Sequence, residues 1–453
     1  HPQYSRTATG YGTWSLSEWP NQELVYRTQV KALEHLWSER STTRGLTYWR
    51  NDHNTGWVNN PFSATALTIL TAARTLAVRD SVGEINDYRW GPNIALNGGN
   101  AGRTAMHSTG DELYIAKRNG QIERVDVDSG TSEVVLSSIP SIFGNINDLV
   151  MSRNGNYWIT TQSGVLFEVD SLGNALRSVV TCGQAMGGMV FDENEENIYV
   201  TCPFVHQLWR IDLSDNSTEQ LAVGGLLNRP NSLAWDNSGR LLIANNRGNN
   251  ILEFDLDTLT PSVRVEGLYG RPYFVAVGDE GEMYIATEAR GAENGVLRVS
   301  PEGFAERLVW GNSPYDIALH QGGVYVTQNN AGNSVYPVQT IPLDDSILDD
   351  MLVAIPQSAQ YLLEDMPSTS ANNVYQAVTM IGLMEALPYI AEEGLRSNVE
   401  TRIATLADNL RSRRAPSGGW DRSGNASDSS RDPIMSALVG IALEYTSPSS
   451  DDP

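Results

Sequence analysis

Eleven polar or aromatic side chains fall at two recurring registers in the middle of this chain. They are Asn147, Asp148, Asn231, Arg247, Tyr273, Glu288, Arg290, Tyr315, Asp316, Asn329 and Asn330. Amides and carboxylates accept hydrogen bonds, arginines meet anions, and a tyrosine offers a ring with a polar tip. Such a set can hold a polar ligand, or it can saturate strand ends and ordered water. The histidines supply no compelling general base. His206 and His320 fall at opposite ends of strand-like runs, and no His–Glu pair is spaced to demand a site. His1 offers an amine and an imidazole, a pair able to chelate copper, but a second His partner cannot be identified. Processing chemistry explains it more simply.

The registers come from a repeat. Strand-like runs recur as Glu112-Leu-Tyr-Ile-Ala-Lys117, Asn156-Tyr-Trp-Ile-Thr-Thr161 and Asn197-Ile-Tyr-Val-Thr-Cys202. They continue as Arg240-Leu-Leu-Ile-Ala-Asn245, Glu282-Met-Tyr-Ile-Ala-Thr287 and Gly323-Val-Tyr-Val-Thr-Gln328. The period of roughly 42 residues lies in the range of propeller blades. A small apolar run and a turn rich in Gly, Asn or Asp precede each, and a third strand follows, as in Gln207-Leu-Trp-Arg-Ile-Asp212. The pattern predicts a six-bladed β-propeller over residues 88–343. The sixth blade lacks an outer strand of its own, and residues 88–96 are expected to supply it, which removes an open edge. In such a blade Cys182 precedes the inner strand and Cys202 ends the second, so the two lie close enough for a disulfide. The alternative is a pair of buried thiols. Asp126, Asp128, Asp255 and Asp257 fall in outer turns, where turn chemistry accounts for them.

The two flanks are helical in pattern. Val30, Leu33 and Trp37 share a face, followed by an Ala/Leu-rich stretch at 63–78; the other flank has stretches at 373–390, 398–410 and 433–445. The ends resemble each other. Val30, Leu33 and Trp37 align with Ile403, Leu406 and Leu410, and Gly56-Trp57 before Pro61 aligns with Gly419-Trp420 before Pro433. The expected fold is therefore mainly β with α: a propeller at 88–343 inserted into one α/α-hairpin domain made from 1–87 and 344–453. Asp344, Asp345, Asp349 and Asp350 sit at the junction, where a helix N-terminus favours acidic residues.

The segment from Arg229 to Asn245, RPNSLAWDNSGRLLIAN, resembles the NHL repeat and is similar to blades of the gluconolactonase/regucalcin and virginiamycin B lyase families. The helical ends look like fragments of the α/α toroid of terpene cyclases and prenyltransferases, without their Asp-rich motif or Zn ligands. The gluconolactonase resemblance implies a metal site at inner-strand starts, for Ca²⁺ or another divalent cation, with Asn147, Asp148 and Asn231 as ligands. Gly187-Gly188 in the third blade, and Tyr273 and Tyr315 in the fifth and sixth, depart from that pattern. The lyase resemblance implies a His base and a metal-binding Glu, for which Glu288 is placed and no His is.

Composition bounds the rest. The 453 residues carry 54 acidic and 31 basic side chains, a formal charge of −23. That excludes a sequence-tolerant nucleic-acid binder, which needs clustered basic residues. No run of apolar residues is long enough for a membrane span. Lys31 and Lys117 are the only lysines, a pattern that fits either a saline setting or a GC-rich genome. The chain starts at His1 without an initiator Met, which reads as a processed, secreted product or a trimmed chain; the location expected is extracellular. Asn216-Ser-Thr and Asn425-Ala-Ser fit the glycosylation sequon. The function expected is non-catalytic: binding, or self-assembly into a homopolymer such as a filament. The alternatives are a secreted metal-assisted lactonase or lyase, and a module that binds a glycan or peptide.

Overall fold

The structure is a computed structural model. It describes residues 22–49, 61–79, 82–97, 104–109, 112–117, 120–139, 145–268, 270–288, 294–311, 313–328, 334–366, 372–415, 419–420 and 433–444. Its contacts divide the chain into two units, Tyr88–Ile341 and a second made of His1–Asp87 with Pro342–Pro453.

The first unit is a six-bladed β-propeller. Its inner strands are Thr104–Thr109, Ile146–Met151, Met189–Phe191, Pro230–Trp235, Arg271–Val277 and Pro314–His320, in blades 1 to 6. Blades 1 to 5 are antiparallel sheets of four strands in sequence order. Blade 6 takes its outer strand from the other end of the unit: Asn86–Trp90 pairs with Ser334–Pro342. The closing segment is broken into two pieces. Ile94–Ala95 forms a second short pairing with Ser334–Pro342, and Gly91 between them donates to the Pro337 carbonyl at 2.8 Å. A Cβ at Gly91 would come within 2.8 Å of the Pro337 and Gln339 side chains, so a larger residue there would force those side chains to shift.

Period-2 burial along each blade feeds the gaps between blades. Six apolar clusters of described residues fill those gaps, one per junction. Aromatic pairs straddle several of them, such as Trp158 on Phe191 and Tyr199 on Trp235, both edge to face. The outer turns use aspartate. Asp126 accepts from the N–H groups of Asp128 and Ser129, and Asp255 from those of Asp257 and Thr258, at 2.8–3.0 Å. These N–H donors hold both carboxyls below the usual carboxylate range.

The second unit is helical around one apolar cluster. Its helices are α1 (Gln22–Ser38), α2 (Pro61–Arg79), α3 (Ile347–Asp365), α4 (Asn373–Ala386), α5 (Glu393–Ser412) and α6 (Pro433–Glu444). Asn372 caps α4, accepting from Val374 and Tyr375. Gly382 of α4 lies against Ala66 of α2, where a Cβ would approach within 2.7 Å, so these two helices cross closely. The junction acids are used: Arg79 bonds Asp345 at 3.1 Å and Asp349 at 2.7 Å, and Tyr26 donates to Asp345.

The internal likeness of the two ends has a bonding basis. Trp420 donates its indole N–H to the Leu410 carbonyl at 2.7 Å and its backbone N–H to Ser436 at 2.9 Å. Trp49 repeats this with Leu36 at 2.6 Å and Thr65 at 3.1 Å. The described tryptophan that matches Trp420 is thus Trp49, and the partner of Leu410 is Leu36, one residue before Trp37. Gly56 and Trp57 lie outside the described residues.

Candidate axial binding site

Four inner strands carry the same irregularity. The pairing of inner and second strand skips Asn147 in blade 2, Asn231 in blade 4, Tyr273 in blade 5 and Tyr315 in blade 6. Each is the extra residue of a bulge, which re-aims its side chain out of the ladder's alternation. The matching position in blade 3 is Gly187, followed by Gly188. A Cβ on Gly187 would lie 2.5 Å from the Asn231 carbonyl oxygen, and one on Gly188 would lie 2.7 Å from the Ser232 Cα. Blade 4 therefore occupies the space that a ligating side chain from blade 3 would need.

The residues after the bulges tie blades together. Asp148 Oδ2 accepts from the Met189 N–H at 2.7 Å, joining blade 2 to blade 3. Ser232 Oγ accepts from Val275 at 2.9 Å, joining blade 4 to blade 5. Asp316 Oδ2 accepts from Met106 at 2.9 Å, joining blade 6 to blade 1 across the ring closure. Alternate junctions thus share one latch, a side-chain acceptor for the N–H one residue further along the next inner strand. At the junction of blades 3 and 4 a direct backbone bond serves instead, from Gly188 to Asn231 at 2.5 Å.

Asn147, Asp148, Asn231, Tyr273, Tyr315 and Asp316 line one cavity of about 50 Å³, together with Met186, Gly187, Gly188, Phe204 and Arg229. That volume holds an ion or a few waters and is far below the hundreds of Å³ of a small-molecule pocket. Tyr273 and Tyr315 stand 4.8 Å apart, and the Arg229 guanidinium lies over the Phe204 ring. Asn147 donates its amide to the Met186 carbonyl at 2.6 Å.

Two carboxylates dominate the electrostatics. Asp148 and Asp316 are 4% and 1% exposed. Asp148 accepts one backbone N–H on each oxygen, from Leu149 and Met189. Asp316 Oδ1 has no hydrogen-bond partner, and neither has Asn231 Nδ2. Burial pushes the Asp148 carboxyl up to about 7. Burial, then the charge of Asp148, pushes Asp316 well above the carboxylate range. Burial and mutual repulsion both favour the protonated carboxyls, and a cation would offset the same repulsion.

The other expected face residues lie elsewhere. Arg247 is exposed in the turn Asn246–Gly248, and Glu288 ends the blade 5 second strand opposite Arg271; neither lines the cavity. Arg290, Asn329 and Asn330 lie outside the described residues, as does His1. His206 Nδ1 accepts the Arg229 N–H at 2.8 Å, and His320 Nδ1 meets the Ser108 hydroxyl at 2.9 Å. Both are thereby engaged in positioning their own turns and strands. Sequence reasoning missed Phe204, Arg229 and Met186, which come from loops where no repeat register identifies them. Cys182 and Cys202 form a disulfide with Cα atoms 6.3 Å apart.

Among the described residues no three His, Cys, Asp or Glu side chains come together. The side-chain oxygens lining the cavity belong to two carboxylates, two amides and two tyrosines.

No family model matches this chain, and no curated protein does. Solved structures do. A streptogramin B lyase is 14% identical with a TM-score of 0.44, over 56% of this chain and 98% of that one. A candidate gluconolactonase is 13% identical with a TM-score of 0.44, over 58% of this chain and 93% of that one. A luciferin-regenerating enzyme is 12% identical with a TM-score of 0.43, over 57% of this chain and 95% of that one. At these identities the likeness says nothing about ligand or reaction.

Proposed function

We propose that this chain is a secreted, non-catalytic binding protein that holds a divalent cation of the Ca²⁺ class at the propeller axis. One observation carries the reading: the buried, unpartnered Oδ1 of Asp316 shares a small cavity with a second buried carboxylate, Asp148. A hard cation removes the repulsion between them and supplies the missing partner. Asp316 and Asp148 would hold it, with the amide oxygen of Asn231, while Asn147 stays tied to Met186 and positions the blade 2 bulge. Water would complete the six to eight oxygens such an ion takes. The cavity is too small to enclose a sugar, so a glycan or peptide would lie over its mouth, against Phe204, Tyr273 and Tyr315. The disulfide supports an oxidising, extracellular location. No helix among the described residues is long and apolar enough to cross a membrane. The test is calorimetric titration of chelator-treated protein with CaCl₂ at pH 8. One strong site that Asp316→Asn abolishes is expected; no heat and no thermal stabilisation would sink the reading.

Self-association has its own supporting observation. Leu172, Leu176 and Val180 on blade 2 are more than half exposed, at or beside its outer edge strand. Such edges offer unpaired backbone groups and an apolar surface to a second copy. Sedimentation of the native protein across a range of NaCl concentrations tests this. Polymers that grow as salt screens the charge of −23 are expected, and a monomer at every concentration refutes it.

A further inference from the structure

The sequon at Asn216 sits in a place suited to modification. Asn216 and Ser217 lie in the outer turn of blade 3, after the strand Gln207–Asp212, and Thr218 opens the next strand, Thr218–Val223. All three residues are exposed. Asn216 adopts a φ of 63°, in the left-handed region that Asn tolerates better than most residues. The turn is held from both sides. Ser217 donates its N–H to Asp215 at 2.8 Å. From blade 2, Arg177 donates to the Leu213 carbonyl at 2.7 Å and to Asn216 Oδ1 at 3.2 Å. That contact uses the amide oxygen, which a glycosylated asparagine retains, and leaves Nδ2 for a new bond. Cys182–Cys202, at the entrance to and within the same blade, is the chemistry of compartments where asparagine is glycosylated.

We propose that Asn216 carries an asparagine-linked oligosaccharide. The inference rests on the extracellular reading given above. The donor is a lipid-pyrophosphate-linked oligosaccharide. Asn216 Nδ2 bonds to the anomeric carbon of the first sugar, and the bond from that carbon to the pyrophosphate oxygen breaks. The lipid pyrophosphate departs as an anion, and one amide proton passes to a base of the transferring enzyme. Nothing is oxidised or reduced. The location has a physical consequence. Thr218–Val223 is the outer strand of its sheet, with one side unpaired. A hydrated sugar at the head of that strand obstructs addition of a foreign strand. Asn425-Ala-Ser lies outside the described residues.

The experiment uses the full chain recovered from outside its producing cells. Trypsin cuts after Arg210 and Arg240 and spares Arg229, which precedes Pro230, so residues 211–240 emerge as one peptide. The expected result is a ladder of sugar-sized mass additions on this peptide. Asn216→Gln and Thr218→Ala should both lose it, and Thr218→Ser should retain it. A bare peptide from secreted chain with Cys182–Cys202 bridged overturns the inference and leaves the extracellular reading intact. Chain found only inside the cell with both thiols reduced overturns both.

Discussion

Asp316 concentrates the consequences at the scale of a single residue. Its carboxyl and that of Asp148 keep a proton in the folded chain over a range where the unfolded chain has lost it. The sign follows: the stabilising share of Asp148 is full below about pH 4 and is lost as pH rises through about 7, and that of Asp316 is lost in the same direction. Asp316→Asn keeps an acceptor for the Met106 N–H and removes the second charge. Urea denaturation without metal should find the variant more stable than the parent at pH 8, by about 1–3 kcal/mol, with the gap closing toward pH 4. Added Ca²⁺ should stabilise the parent at pH 8 and leave the variant unmoved. The glycines of blade 3 make the complementary case. Gly188→Ala forces a methyl group against the Ser232 backbone, and thermal unfolding should register a loss of about 1–3 kcal/mol. The sequence displays Gly187-Gly188 only as a gap in a ligand pattern. The reason for it is a neighbour's backbone that lies more than forty residues further along the chain.

At the scale of elements, what could be foreseen was what repeats. The six second strands share one apolar pattern at one period, so the blades, their order and the use of a distant strand to complete blade 6 are readable from the residues. The bulges are not, because a bulge changes pairing without changing composition. Asn147, Asn231, Tyr273 and Tyr315 share a register yet have no common side-chain chemistry. The match of Trp420 with Trp49 was obscured for a similar reason. It resides in two hydrogen bonds, and Gly-Trp at 56–57 offered a better likeness in letters. The disulfide was legible because a blade brings the two ends of a hairpin back to one face. Replacing Cys182 and Cys202 together by Ser should lower stability by about 3 kcal/mol, measured as a shift in the urea midpoint. The segment 94–97 is held differently. Buried Lys117 pairs with buried Glu123 and donates to the Asn97 carbonyl at 2.6 Å, while Glu123 accepts the Asn97 N–H at 2.8 Å. Glu123→Leu would strand the ammonium, costing about 3–5 kcal/mol. Hydrogen exchange should show the pairing at Ile94–Ala95 opening first.

For the whole molecule, acidity and rarity of lysine meet in one place. Of the two lysines, Lys31 is 41% exposed beside Asp87, and Lys117 is 1% exposed inside blade 1. An amine-acylating reagent applied to the folded protein therefore has Lys31 as its accessible lysine side chain. Lys117 becomes reactive only when blade 1 parts and lets the reagent reach its side chain. A timed pulse of such a reagent, read by mass at that residue, then acts as a clock for the opening of a single blade. The chain thus contains its own built-in reporter of local unfolding, placed where the ring is closed.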